Sequence, residues 1–311
     1  MLPSPGITTA HPVFSLVRAV IVYHWFEVLT IALFLGIGWG IGSVPPPATL
    51  LFFEGDLTLS RAHPTNTVSN GALAGLAAAL PICVLIVYEI LAAKLVVGRG
   101  LRMTLPLSCG LALSVCICAT NVIKIYAAIP RPSFFARCDY KGYASAIATQ
   151  NFTAYRAAIT VGNLGSLSFC EAATADVNDA VRSFPSGHSS LSFSGLFFLT
   201  LSLRALLGVR DYFSMRALIA GTPLALSTWI AVTRLIDGAH STADVATGVA
   251  LGLSSATAAW LHAKSNGYIP PSILKEVSAV IGVSNCVSDP NLNDDKLDHE
   301  EKAVLTSNVT H

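Results

Sequence analysis

Six long apolar stretches constrain this chain more than any other feature. They run at about 28–44, 71–93, 104–123, 191–207, 217–233 and 245–261, each near or within the roughly 17 to 25 residues needed to cross a hydrocarbon core. Only 12% of the 311 residues are charged and 53% are hydrophobic, against about 25% charged in an ordinary soluble domain. Six such runs would not stay soluble as a globular helical protein. Gly, Ala and Ser recur inside them, as expected where membrane helices pack closely. The expected fold is all-α, a polytopic membrane protein with six transmembrane helices. A net charge of +1 points away from nucleic acid and from a polybasic membrane-surface patch.

Three regions follow: a short N-terminal segment (1–27), a six-span unit (28–262) and a tail (263–311). The N-terminal segment has no basic start and no small-residue cleavage site, so the first span is expected to serve as its own anchor. Within the tail, residues 288–302 carry six acidic and two basic side chains and almost nothing bulky. Such a stretch cannot bury enough surface to fold alone. Basic residues flank two short connections: Lys94, Arg99 and Arg102, then Arg204, Arg210 and Arg216. The positive-inside rule places these turns and both termini in the cytosol. The long connection at 125–187 goes against that rule, with Arg131, Arg137, Lys141, Arg156 and Arg182, so its charges need another purpose. On this topology Cys138 and Cys170 share one extracytoplasmic loop and form a candidate disulfide. Asn151, in "NFT", is a candidate glycosylation acceptor there, whereas Asn308 in the tail would be unused. Cys286 also lies in the tail.

The same topology brings three polar islands to one membrane face. The first is "KIYAAIPRP", with Lys124 ending the third span and Arg131 held between Pro130 and Pro132, which end the helix. A fixed guanidinium beside a lysine suits an oxyanion. The second is "SFPSGHSSLSF", where Ser186, Gly187 and the first amides of a helix could cradle an anion beside His188. The third is "TRLIDGAHSTAD", with Arg234, His240 and Asp244. If the sixth span begins near His240, that histidine and Asp244 share a helix face, and the carboxylate fixes one ring nitrogen while leaving the other nucleophilic. Taken singly, these islands read as a snorkelling lysine, a helix cap and a polar helix start. Together they form a cationic set with two histidines, one orienting aspartate and no surplus carboxylates. That set suits a phosphate held without a metal, because Mg2+ would want carboxylate oxygens and zinc three or four His, Cys or carboxylate ligands.

The three motifs, with every spacing in agreement, resemble the signature of the type 2 phosphatidic acid phosphatases, the lipid phosphate phosphatases related to vanadium haloperoxidases. "RPSFFARC" and "GDLTLSRAHP" are similar to stretches of the eukaryotic diacylglycerol pyrophosphate and lipid phosphate phosphatases. The resemblance implies that His240 attacks phosphorus and becomes a phosphohistidine, oriented by Asp244. His188 would protonate the leaving oxygen and then activate water. Lys124, Arg131, Arg234, Ser186 and Gly187 would hold the phosphate oxygens, and no cofactor is implied. Arg182, just before the second motif, reads as a solvated loop charge, with a contribution to the phosphate field as the alternative. The departures are Thr233 for the usual Ser, Ser241 where close relatives often carry a second histidine, and Ala127 and Ala128 where Gly and another Arg are usual. The implied substrate is a phosphorylated lipid of the bilayer, such as phosphatidate, lysophosphatidate, diacylglycerol pyrophosphate or a sphingoid phosphate, met on the extracytoplasmic or luminal face. A polyprenyl diphosphate phosphatase, a lipid phosphotransferase and a non-catalytic lipid-phosphate binder are the alternatives.

Overall fold

The computed structural model describes residues 24–45, 51–62, 66–95, 102–207 and 213–266. The segment before residue 24, Arg99, Arg210 and the tail beyond 266, with Cys286 and Asn308, lie outside the described residues. Six long helices form the body: α1 (Trp25–Gly42), α2 (Asn70–Leu95), α3 (Thr104–Ala127), α4 (Gly187–Leu206), α5 (Phe213–Ile236) and α6 (Thr242–Ser265). Among the described residues the fold is all-α, with two isolated β-bridges in the loops. Five of these helices, α1 to α5, are long and apolar enough to cross a membrane. The sixth expected span, α6, has the length but is not among them, because Thr, Ser, Gly and His dilute its apolar face.

Most helices outrun the apolar stretches that marked them, by up to four residues and at either end. Hydropathy finds only the lipid-facing part of a helix, whereas the backbone ladder continues while its own hydrogen bonds can be made. Thus Lys124 lies within α3, which continues to Ala127. The expectation that the prolines end this helix needs correction. Ala128 takes a left-handed conformation (φ 44°), its N–H bonds to the Lys124 carbonyl, and Pro130 follows two residues later.

α4 is the central helix, packed on α3, α5 and α6, while α1 lies against the outer side of α3. Its contact with α6 depends on glycine. A Cβ at Gly252 would come 2.5 Å from the Ser190 carbonyl, and one at Gly248 would come 2.6 Å from that of Ser186. These glycines, one turn apart, let two backbones approach as small residues do in membrane bundles. A third close approach sets Gly195 against the carbonyl of Ala77, inside a π-turn of α2 at Gly75–Ala79. The hydroxyls buried along α4 bond back to the preceding turn: Ser192 to Ser189, Thr200 to Leu196 and Ser202 to Phe198. Gly252→Val is therefore expected to destabilise the bundle by about 1–3 kcal/mol through overpacking. Thermal melting in detergent checks this, and an unchanged midpoint would contradict the close α4–α6 contact.

At one end of the bundle the loops form a compact cap. Phe52 packs edge-on to Phe134, Phe135 and Tyr140, with centroids 4.7, 6.0 and 5.4 Å away. Buried Glu54 accepts hydrogen bonds from Tyr140 Oη (2.8 Å), Lys141 Nζ (2.5 Å) and the Thr160 amide (2.7 Å). Burial alone would raise its pKa, but these partners outweigh that and lower it. Cys138 and Cys170 are bonded in this cap, with Cα atoms 4.9 Å apart. Asn151 is exposed, its side chain accepting from the Thr153 amide (3.1 Å). Several cations that ran against the charge rule are occupied here: Lys141 by Glu54, Arg131 and Arg137 by Asp179.

Candidate active site

The cap, the outer part of α1, the start of α2, the end of α3, the start of α4, the end of α5 and the loop leading into α6 enclose one cavity of about 830 Å³. Lys124, Arg131, Gly187, His188, Arg234 and His240 all line it, so the three islands do meet. Leu35, Leu73, Ile117 and Leu191 form an apolar part of the same wall. Two expected residues stand behind it. Asp244 is 2% exposed and backs His240. Ser186 is fully buried, accepts from Ser189 Oγ (3.1 Å), and donates its amide to the Asp244 carbonyl (2.9 Å). It stands at the N-cap position of α4, without a side-chain capping bond, and its amide ties α4 to α6; it does not line the cavity.

His240 does not share a helix face with Asp244, because α6 starts only at Thr242. Ser241 is the N-cap. Its Oγ accepts from the Asp244 amide (3.2 Å), and its own amide donates to Asp244 Oδ2 (2.8 Å), a reciprocal capping box. This gives Ser241, one of the departures noted above, a local purpose: it fixes the carboxylate. Asp244 Oδ2 also accepts from Ser183 Oγ (2.6 Å) and lies 3.5 Å from His240 Nδ1. On the other side of the ring, Nε2 is 3.1 Å from a terminal nitrogen of Arg131. A guanidinium can only donate, so Nε2 carries the lone pair and Nδ1 the proton. Burial pushes the His240 pKa down to about 4; Asp244 opposes this and the Arg131 charge adds to it. The ring is neutral at ordinary pH.

Arg131 is itself held firmly. Its Nε donates to the Asp179 carbonyl (2.8 Å) and a terminal nitrogen to Asp179 Oδ1 (2.7 Å), while Arg137 takes Oδ2 (2.7 Å). Burial would raise the Asp179 pKa, but the charges of Arg131, Arg137 and Lys124 prevail and lower it. Arg234, 1% exposed, bonds Asp237 Oδ2 (2.6 Å), Asn66 Oδ1 (3.2 Å) and Thr233 Oγ1 (3.1 Å). Asp237 in turn accepts from the Thr67 amide and hydroxyl (3.0 and 2.6 Å), joining the first loop to α5. The expectation of no surplus carboxylates is thus corrected, since Asp179 and Asp237 serve as fixed counter-ions. Asp237 sits inside the third motif, three residues after Arg234, but Asp179 stands at no motif spacing and lies 48 residues from its partner. The only hint was that buried arginines need counter-charges.

His188 Nε2 is 3.0 Å from the Val68 carbonyl. A carbonyl only accepts, so Nε2 carries a proton and Nδ1 is left for proton exchange. Around the cavity, Lys124, Arg131, Arg137, Arg182 and Arg234 outnumber Asp179, Asp237 and Asp244 by five charges to three. An anion with an apolar tail fits such a wall.

The chain is similar to several known proteins. The chain is 30% identical over 210 residues to "Lipid phosphate phosphatase 2" of Arabidopsis thaliana, covering 66% of this chain and 63% of that one. It is 31% identical over 153 residues to "Probable diacylglycerol pyrophosphate phosphatase 1" of Schizosaccharomyces pombe, covering 47% and 50%. The chain thus spans half to about five-eighths of the length of these relatives. No solved structure matches it significantly. Residues 103–268, 166 of 311, match the PAP2 superfamily, and that stretch contains the two histidines, Asp244 and the three motif cations around the cavity: the chain belongs to the PAP2 superfamily.

Proposed function

We propose that this protein is an integral membrane lipid phosphatase that removes the phosphomonoester, or the terminal phosphate of a diphosphate, from phosphatidate-like lipids. The observation that carries this reading is His240, a neutral imidazole held between Asp244 and Arg131 at the wall of a cationic cavity with an apolar side. The substrate phosphate takes the Arg131 donor now facing Nε2, and Nε2 attacks phosphorus. Negative charge on the equatorial oxygens is stabilised by Lys124, Arg131, Arg234 and the Gly187 amide, fixed donors placed before the reaction begins. The Nδ1 proton stays with Asp244, which stabilises the cationic ring. His188 gives a proton to the leaving lipid oxygen. It then takes one from water, which releases phosphate from His240 and restores both rings. The cations at the wall supply the charge neutralisation that a bound metal supplies elsewhere, so the reaction is metal-independent in this account.

With both termini cytosolic and the cap extracytoplasmic or luminal, the cavity opens at that surface, where the lipid chains remain in the leaflet beside Leu35 and Leu191, which line it. Asn151 on the cap is accessible there for glycosylation. An assay over a panel of lipid phosphates, run with and without EDTA and with vanadate, tests the proposal. Phosphate release that survives EDTA and is inhibited by vanadate is expected. Strict dependence on Mg2+, or labelled phosphate moving to an acceptor alcohol in place of water, would overturn it.

The pH profile is a second check. His240 must be neutral to attack, and its pKa is about 4. The acid limb of kcat/KM is therefore expected near pH 4, well below the ordinary histidine range of about 6.5. In kcat, where the bound phosphate dianion supports the His188 cation, an alkaline limb arises when His188 loses the proton it must donate, completing a bell. An acid limb at the ordinary value would contradict the buried, neutral His240.

A further inference from the structure

A smaller cavity of about 280 Å³ adjoins the first, sharing Lys124 and Asp179 with it and adding Ser43 and Arg182. Arg182 is fixed there by α1: its two terminal nitrogens donate to the carbonyls of Gly42 (2.8 Å) and Val44 (2.5 Å), where the negative end of that helix favours a cation. Its Nε is buried and has no hydrogen-bond partner among the described residues. Leaving a buried donor on a charged group unmet is costly, so this nitrogen is suited to an acceptor that arrives with a ligand. Lys124 Nζ likewise has no acceptor among the described residues, and lies 3.8 Å from where a Cβ on Gly187 would be. The one carboxylate on the wall, Asp179, has both oxygens occupied by Arg131 and Arg137. The smaller cavity therefore presents two positive charges and no free negative one, beside the position of the reacting phosphate.

We propose that Arg182 and Lys124 form a second phosphate subsite adjoining the catalytic one. It rests on the phosphatase reading above for its place in turnover. Two sources share the chemistry: the inner phosphate of a diphosphate lipid, or the inorganic phosphate released after transfer. Arg182 is then a specificity-determining residue. It reads a second phosphate, while Arg131 and Arg234 hold the first and Lys124, on the wall of both cavities, bridges the two.

The test uses the full chain in lipid nanodiscs, as wild type, Arg182→Gln and Ser43→Asp. Ser43→Asp leaves the Arg182 anchor to α1 in place and adds a repelling charge at the cavity, so it guards against a folding defect in Arg182→Gln. Titration calorimetry with inorganic phosphate, without substrate, is expected to show two sites in the wild type. Both variants should weaken one of them by about tenfold or more and leave the other unchanged. Steady-state arms separate the sources. If the inner phosphate is held, both variants lower kcat/KM for diacylglycerol pyrophosphate by about tenfold relative to phosphatidate. If the free product is held, that ratio stays constant and inhibition by inorganic phosphate weakens instead. A single phosphate site in the wild type, or equal weakening of both sites in the variants, would overturn the subsite. Absence of lipid turnover would sink the phosphatase reading alone, since the binding stoichiometry reports on the subsite independently.

Discussion

Replacing His240 with alanine is expected to lower kcat on phosphatidate by about 10⁴-fold or more, the scale seen when a covalent nucleophile is removed. The ring has no substitute nearby. Its Nε2 is the lone pair directed at Arg131, and the neighbouring Ser183 hydroxyl is committed to Asp244 at 2.6 Å. The fold should survive, because His240 contributes few bonds that the capping box of Ser241 and Asp244 does not make without it. Binding of a lipid phosphate should also survive, since Lys124, Arg131 and Arg234 remain in place. Loss of turnover with retained binding and an unchanged melting midpoint is the expected pattern. Turnover within tenfold of wild type would remove His240 as nucleophile.

The next largest effect is expected at His188. Replacing it with glutamine should lower kcat on phosphatidate by about 10²- to 10⁴-fold, the contribution of a positioned general acid. A lipid alkoxide is a poor leaving group and needs that proton, whereas an activated aryl phosphate does not. The loss in the first chemical step should therefore shrink strongly with p-nitrophenyl phosphate, read as the pre-steady-state burst of nitrophenol. The slow release of phosphate should persist, because His188 also activates water. Equal losses in the burst with both substrates would assign His188 a merely structural part, through its bond to the Val68 carbonyl.

The helical architecture and the convergence of Lys124, Arg131, His188, Arg234 and His240 were legible in the sequence because each depends on local pattern. Apolar length marks a helix, and motif spacing marks a helix end. Asp179 and Arg137 were not legible as site residues, since their pairing depends on how a long loop folds over the bundle, whereas Asp237 stood in plain view in the third motif, three residues from its partner Arg234. Ser183 was visible within the second motif, but nothing in its neighbours indicates that it reaches a carboxylate 61 residues away. Ser241 shows the reverse case. As a replaced motif residue it looked like a departure, and its part as helix cap emerges only once α6 is seen to start at Thr242. Gly248 and Gly252 read as generic small residues of a membrane helix. Only the close approach to Ser186 and Ser190 explains why they are glycine there and not alanine.

The central claim is a covalent phosphate on His240, and trapping it is the most direct test. Enzyme mixed briefly with phosphatidate labelled in its phosphate, then quenched in alkali, should carry label that is stable to base and labile to acid. Digestion should place that label on the peptide containing His240, and His240→Ala should carry none. With labelled p-nitrophenyl phosphate, whose leaving group needs no proton, label should accumulate in His188→Gln because hydrolysis of the phosphohistidine still needs that residue. Label on a different residue, or no label in His188→Gln with that substrate despite a burst of nitrophenol, would contradict the account.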